Sequence, residues 1–454
     1  MRSLVSLTLV VLTLVLPAGA TAQETAQEPA RLTLAEAVER ALARYPGVGA
    51  ARARQEQARE AITEAKASRR PAGRLNATGT QYEEPMVVTP IHGFGPGLFP
   101  EFDTTVFQGT LTVSYTLWDG GATEARIRSA GEQAGVAGAA LGAAEQALAR
   151  RVAASYLTAQ GQSQVLAAHD RRLAALQGEL SRARQRFDAG KAAQVEVIRA
   201  EAAVAAAEAQ RVALAAAVGN AERDLARLLD APLDEVRAGR LAPVTLAGPA
   251  LPPREALVAD GLAVSPAVEQ ARRQVEASRA AEALARSAYR PTLRAVGNYN
   301  EWASSEGDFT GEWNAGFQFA VPLFDFGVTR SRVAQSAAAT RAAAEQLRLA
   351  ELQVREEVDR AAADTEQALA QVASLEKAVE RFAEVVRVQK LLLDTGAGTQ
   401  IDYLNAEAEL LAARASLATA ENAAALARMD LARATGRLGP EWLRQNLRQT
   451  ETTP

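Results

Sequence analysis

The two halves of this 454-residue chain carry the same features in the same order. Tyr45-Pro46 corresponds to Ser265-Pro266, and Arg70-Pro71 to Arg290-Pro291, at one constant spacing. Leu117-Trp118-Asp119-Gly120-Gly121 corresponds to Leu323-Phe324-Asp325-Phe326-Gly327 at a slightly shorter one. That second spacing also relates Phe187-Asp188-Ala189-Gly190 to Leu393-Asp394-Thr395-Gly396 and Arg223-Asp224-Leu225 to Met429-Asp430-Leu431. A longer loop in the first half, near Pro85 to Asp103, absorbs the difference. A duplicated unit must fold twice into one supersecondary object, and the two copies must then pack on each other. The repeats span 23–240 and 254–438; a Pro-rich connector, 241–253, joins them, and 439–454 form a tail.

Each unit reads helix, strand, strand, long helix, helix. The first helices run over about 33–70 and 254–290 and stop at Pro71 and Pro291, because the residue before a proline is driven towards extended geometry. Strands follow at about 73–83 and 105–118, and again at about 292–302 and 311–323. Phe107, Gly109, Leu111, Val113, Tyr115 and Leu117 alternate with Gln108, Thr110, Thr112, Ser114 and Thr116; Trp313, Ala315, Phe317, Phe319, Val321 and Leu323 alternate with mostly small or polar residues. Period-two patterning defines strands with one apolar and one polar face. Of the 22 aromatic residues, 15 lie in 73–118 or 291–326. Alternating strands rich in aromatics suit a transmembrane β-barrel, with aromatics at the lipid–water interfaces; an isolated pair also suits a hairpin packed on a helix. Two hairpins at matching points of a duplication favour the barrel.

No proline interrupts 119–187 or 325–393, two stretches of equal length. As helices they would be about 100 Å long. Leu166, Leu173, Leu176, Leu180 and Phe187 match Val372, Val379, Phe382, Val386 and Leu393, in steps of seven, three and four, which is a coiled-coil seam. His169 stands where the second unit has Leu375 and reads as a seam residue. The shorter helices, 192–229 and 399–435, together with those before the strands, have the length to lie end to end along the long ones.

Composition removes several function classes. The chain has no cysteine, so no disulfide or thiolate chemistry is open to it. Only two histidines are present, far apart, and no zinc site is expected. With 50 Lys+Arg against 54 Asp+Glu, nothing favours a nucleic acid partner. Ser, His and Asp form no recognisable triad, and neither an enzyme nor a cofactor is expected. Arg2, the apolar run 4–16, Pro17 and Ala20-Thr21-Ala22 read as a signal peptide over 1–22, cleaved before Gln23. No later run approaches about 18 uninterrupted apolar residues, so no membrane-spanning helix is expected.

The duplication, the Leu-Trp-Asp-Gly-Gly and Pro322-Leu-Phe-Asp-Phe-Gly junctions into the long helices, and the turns Arg186-Phe187-Asp188-Ala189-Gly190 and Asp394-Thr395-Gly396 at their far ends together resemble the TolC family of outer-membrane efflux and secretion channels. The resemblance covers essentially the whole mature chain. It implies a mainly α fold with a small β part: duplicated helical hairpins forming a trimeric α-barrel, and four strands per protomer contributing to a 12-stranded transmembrane β-barrel. It implies an exit duct in the outer membrane of a Gram-negative-type bacterium, extending into the periplasm and embedded in outer-membrane lipid. It also implies a homotrimer whose partners are a periplasmic adaptor (membrane fusion) protein and an inner-membrane RND, ABC or MFS transporter.

Candidate sites follow from the same resemblance. Glu196 and Asp402 stand six positions after Gly190 and Gly396, near the periplasmic entrance, where family members carry acidic rings; Asn405 replaces a second acid. Read from the residues alone, both acids also suit the first turn of a helix, where the dipole favours negative charge. Adaptor docking falls on the turns at Asp188, Gly190, Lys191, Asp394, Gly396 and Thr399. Strand–helix junctions fall at Pro71, Pro291, Gly121, Pro322 and Gly327. The glycine-rich run at 93–97 lies between strands and reads as an external loop, not a phosphate cradle. The rival architecture is a soluble periplasmic coiled-coil adaptor or scaffold, which would share the leader and the long helices but has no need of an apolar band on its strands.

Overall fold

The computed structural model of the protein describes residues 31–449 apart from 93–98, 192, 247–250, 308, 396 and 399. The expected leader, the whole glycine-rich run at 93–97, Gly396, Thr399 and the last five residues lie outside that set.

Each repeat opens with two helices where the sequence reads one. α1 (Leu34–Arg44) and α2 (Pro46–Ala67) are split at Tyr45, and α5 (Arg254–Val264) and α6 (Pro266–Ser287) at Ser265. The cause is local. Tyr45 (φ −64°, ψ 123°) and Ser265 (φ −57°, ψ 127°) are pushed out of the helical region by the proline that follows, and each proline starts the next helix, where its missing N–H costs nothing. α1 begins with a capping box: Thr33 Oγ1 accepts from the Glu36 N–H at 3.3 Å, and Glu36 Oε2 accepts from the Thr33 N–H at 3.0 Å.

The strands β1 (Ala72–Val87) and β2 (Phe102–Trp118) follow, then the long helix α3 (Ala122–Asp188) and α4 (Gln194–Leu229). The second repeat supplies β4 (Thr292–Ala303), β5 (Phe309–Ala320), α7 (Val328–Asp394) and α8 (Gln400–Ala434). Both long helices have 67 residues. Near the sheet α6 lies between α3 and α7; further away α4 pairs with α3 and α8 with α7, while α8 also touches α3. α4 is long and apolar enough to cross a bilayer by length and composition. Alanine supplies most of that hydropathy, and Arg184–Glu201 (2.7 Å) and Arg211–Asp170 (2.6 Å) bind α4 along α3 instead.

Leu173 is buried with Val204 and Ala207, with Leu176 and Leu180 packed against them, which is the α3–α4 seam. His169, one turn earlier, is buried, and neither ring nitrogen has a hydrogen-bond partner among the described residues. It occupies a packing position.

The core sits midway along the helices. Leu34, Val38, Val152, Tyr156, Leu225, Leu229 and Leu443 bury there with little or no exposure. The connector and the tail are part of it. β3 (Val244–Leu246) pairs antiparallel with β6 (Leu447–Gln449), α9 (Pro440–Asn446) packs on α1, and Leu32 bridges Leu241. Arg150 on α3 forks onto Asp430 of α8 at 2.9 and 3.0 Å, joining the two repeats.

The four long strands form one antiparallel sheet in the order β1-β2-β4-β5. Its register puts Leu75, Leu111, Tyr299 and Trp313 in one row, and Arg74, Thr112, Asn298 and Asn314 in the next. Odd-numbered positions therefore share the apolar face and even-numbered positions the polar one. The polar face is stitched across strands: Thr112 Oγ1 donates to Asn298 Oδ1 (2.8 Å), and Asn298 Nδ2 to Asn314 Oδ1 (2.9 Å). The apolar face is uncovered: Leu75 is 73% exposed, Trp313 75%, Phe317 76% and Phe319 65%.

Candidate functional site

The sheet and the helix turns stand at opposite ends of about 100 Å of helix, and each end has its own chemistry.

At the turn between α3 and α4, Gly190 adopts φ +69°. Its N–H bonds Phe187 O and the Lys191 N–H bonds Arg186 O, both at 2.8 Å. This is the Schellman arrangement, in which a left-handed glycine lets the chain satisfy the helix's last carbonyls. In the second repeat the Ala397 N–H bonds Leu392 O at 2.9 Å, the same bond between the equivalent positions. α7 ends at Asp394. The first turn leaves Asp188, Gly190 and Lys191 exposed at the extremity.

Both acids beyond the turns are exposed. Glu196, in the first turn of α4, accepts from Arg186 across the hairpin at 2.7 Å, so its carboxylate ties the two helices. Asp402 and Asn405 are exposed in the first two turns of α8. Tyr403 Oη donates to Glu407 Oε1 at 2.7 Å beside them. The Arg186 contact is invisible to spacing arguments because it joins side chains on two different helices. Among the described residues, no group of three or more His, Asp or Glu is arranged to hold a metal.

At the sheet end, Pro71 and Pro291 each follow a one-turn exit from the helix, with Arg70 N–H on Ala67 O and Arg290 N–H on Ser287 O, both 2.9 Å. The return into the long helices uses two successive left-handed residues: Gly120 (φ +65°) and Gly121 (φ +90°), then Phe326 (φ +52°) and Gly327 (φ +94°). A glycine at the cap position has no side chain to satisfy the first free N–H groups. Asp119 does so from two positions upstream, accepting from the Gly121 N–H (3.1 Å), the Thr123 N–H (2.7 Å) and Thr123 Oγ1 (2.5 Å). Asp325 repeats the contacts with Gly327 (3.0 Å) and Thr329 (2.7 Å). Partial burial alone would raise the Asp119 carboxyl, but the bonds from Thr123 and Gly121 outweigh it and hold it below the usual carboxylate range. The Thr329 hydroxyl and N–H do the same for Asp325.

The repeats meet at this junction. Arg290 Nη1 donates to Gly120 O at 2.8 Å, and a Cβ on Gly120 would sit 2.5 Å from Arg290 Cβ. Pro322, Phe324 and Phe326 occupy the corresponding stretch after β5, where nothing among the described residues covers Leu323, Phe324 or Phe326.

Comparison with known proteins agrees with this geometry. The sequence pattern of a family described as outer membrane efflux protein matches residues 37–231 and 257–437. The outer membrane efflux protein BepC of Brucella suis biovar 1 (strain 1330) is 25% identical over 353 residues, covering 76% of this chain and 75% of that protein. The fold resembles the CmeC outer membrane channel of Campylobacter jejuni (TM-score 0.72, 17% identity, 94% of this chain and 95% of that one). It also resembles the MtrE outer membrane channel of Neisseria gonorrhoeae, solved in its open state (TM-score 0.69, 20% identity, 90% of each chain).

Proposed function

The chain belongs to the outer membrane efflux protein family, and from that premise we infer that it is a passive outer-membrane exit duct of an efflux pump, not an enzyme. The observation that carries this reading is the sheet. One face is apolar and uncovered, the other polar, and among the described residues neither β1 nor β5 has a strand on its outer side. In hydrocarbon each unpaired backbone group costs several kcal/mol, so such a sheet is stable there only when its edges are closed. Three copies would close them into a barrel of twelve strands, apolar outside and polar within, with the 67-residue helices continuing the duct into the periplasm. A soluble scaffold would leave the same apolar face in water, which disfavours the rival reading. Cell fractionation tests it: recovery with outer membranes as a heat-sensitive trimer is expected, and quantitative recovery in the soluble periplasm would overturn it.

Two finer assignments belong to the same reading. At the periplasmic entrance, three Asp402 carboxylates would crowd the axis and favour cations, as charged rings do in pores. Asn405 leaves a second ring uncharged, and Glu196 is engaged by Arg186. Asp402→Ala in planar bilayers is expected to lower cation selectivity or change single-channel conductance; unchanged values in both would reject the role. A periplasmic adaptor, coupled to an inner-membrane transporter, would dock on the turns at Asp188–Lys191 and 394–399. A photo-crosslinker placed at Lys191 is expected to capture the adaptor, and capture only from positions outside the turns would remove this assignment.

A further inference from the structure

Seven of the residues that the two repeats share lie at the junction between sheet and helices. Across 68–79 and 288–299 only three positions are identical in the two halves, Arg70/Arg290, Pro71/Pro291 and Arg74/Arg294; across 119–128 and 325–334 the identities are Asp119/Asp325, Gly121/Gly327, Thr123/Thr329 and Arg126/Arg332. The fold accounts for most of them. The prolines end helices, the Asp-x-Gly-x-Thr stretch caps the next helix, and Arg290 holds Gly120. The fold accounts for Arg126 and Arg332 only through the positive charge each brings near Asp119 and Asp325, and it gives no such account of Arg74 and Arg294; all four are exposed, and none forms a hydrogen bond or close ion pair among the described residues.

Their placement supplies the reason. Arg74 pairs with Thr112, and Arg294 with Thr116 and Gln318, so both stand on the polar face. Arg126, Arg290 and Arg294 line a cleft of about 640 Å³ with Thr116, Thr123 and Asp119. Three guanidiniums face one carboxylate, and that carboxylate is already taken up by Thr123 and Gly121. The cleft therefore carries an excess of two positive charges and a rim of hydroxyls. Guanidiniums present paired donors to planar or tetrahedral oxyanions. By the repeat correspondence, Arg332 of one copy with Arg70 and Arg74 of the next would form the same cleft at each seam between copies.

We propose that these arginines form a basic collar on the inner wall of the duct, at the neck between barrel and helices, which takes carboxylate, phosphate or sulfonate groups of anionic cargo in transit. The proposal rests on the exit-duct reading. Polyanions would dwell at the neck, and since the Debye length shrinks from about 30 Å at 0.01 M salt to about 3 Å at 1 M, the effect would fade with ionic strength.

The test is block of single-channel current by tripolyphosphate, using the full chain in bilayers of neutral phosphatidylcholine at low salt. Block of the parent protein, abolished at about 1 M KCl, is expected. Arg74→Ser/Arg294→Ser should need on the order of tenfold more tripolyphosphate, as follows from losing a charge-assisted contact, whereas Arg74→Lys/Arg294→Lys should keep most of the block. Persistence in neutral bilayers assigns the anion to the wall of the duct; block only when anionic lipid is present would assign the collar to lipid headgroups and overturn the cargo reading. Equal block of parent and serine variant overturns the collar itself. A second readout needs no current: anisotropy of the trisulfonated dye pyranine on detergent-solubilised protein should fall with the serine variant, and equal binding overturns the collar. Absence of any conductance would instead count against the exit duct, leaving pyranine to decide the collar.

Discussion

Membranes carrying the Phe319→Cys/Ala77→Cys protein are expected to yield, after oxidation, a covalent trimer on denaturing gels. The chain has no cysteine of its own, so the engineered pair reports alone. Its choice comes from the internal symmetry. Within the chain β2 of the first repeat pairs with β4 of the second, Val113 opposite Gly297. Phe319 is the repeat equivalent of Val113, and Ala77 that of Gly297, so the same pairing sets Phe319 on β5 opposite Ala77 on β1 of the next copy. The free margin of β5 supports the transfer. β2 pairs as far as Trp118, while β5 stops at Ala320 and the following Val321, Leu323 and Phe324 stand exposed, as the end of a strand that lacks its neighbour would. Residues directly opposite have Cβ atoms about 4.5–5.5 Å apart, near the disulfide range, with alternate pairs closer. Gln318→Cys/Thr78→Cys samples the other kind of pair. Phe319→Cys/Leu75→Cys, displaced by two positions to about 7–8 Å, is expected to remain monomeric. Monomer from both in-register pairs, or equal linkage from the displaced pair, would refute this closure.

Removing Tyr156 is expected to cost about 3–5 kcal/mol, the range for emptying a large aromatic site. Tyr156 is fully buried midway along α3, and its Oη lies 2.7 Å from both Leu32 O and Ala242 O. Gln160 Nε2 reaches the same Ala242 carbonyl at 3.1 Å. One phenol thus pins the segment leading into α1 and the connector between the repeats onto the same helix. Burial raises its pKa, so it stays a donor across the range in which proteins fold. Tyr156→Phe keeps the volume and removes one shared donor, while Leu32 O keeps the Ala242 N–H and Ala242 O keeps Gln160, so its cost is about 0.5–1.5 kcal/mol. The temperature at which the trimer dissociates is the measurement, with Tyr156→Ala lowest and Tyr156→Phe between it and the parent. An alanine variant matching the parent would show that the pin carries no weight.

Local periodicity made most of the architecture legible. Phe107 to Leu117 alternate because a pleated strand turns each successive side chain to the opposite face, and Leu173, Leu176 and Leu180 recur because a helix returns to one face every three or four positions. Three features escaped that logic. The breaks at Tyr45 and Ser265 follow from the proline next in the chain, which starts a new helix and so does not interrupt the helical pattern around it. The β3–β6 sheet joins the connector to the tail, across the whole second repeat, through strands too short to show a period. The pairing of Glu196 with Arg186 depends on how two helices face each other across a turn.

By itself, then, the sequence determined the duplicated unit, the length of its two long helices, the two faces of its strands and the glycines at its turns, all of which follow from interactions between near neighbours in the chain. The tertiary structure decided the strand order β1-β2-β4-β5, the placing of α6 between α3 and α7, the joining of connector and tail into the central core, and the gathering of Arg126, Arg290 and Arg294 around one cleft. Those outcomes depend on which of two repeats with the same order of elements lies beside the other. A local pattern, being the same in both, carries no information about that choice.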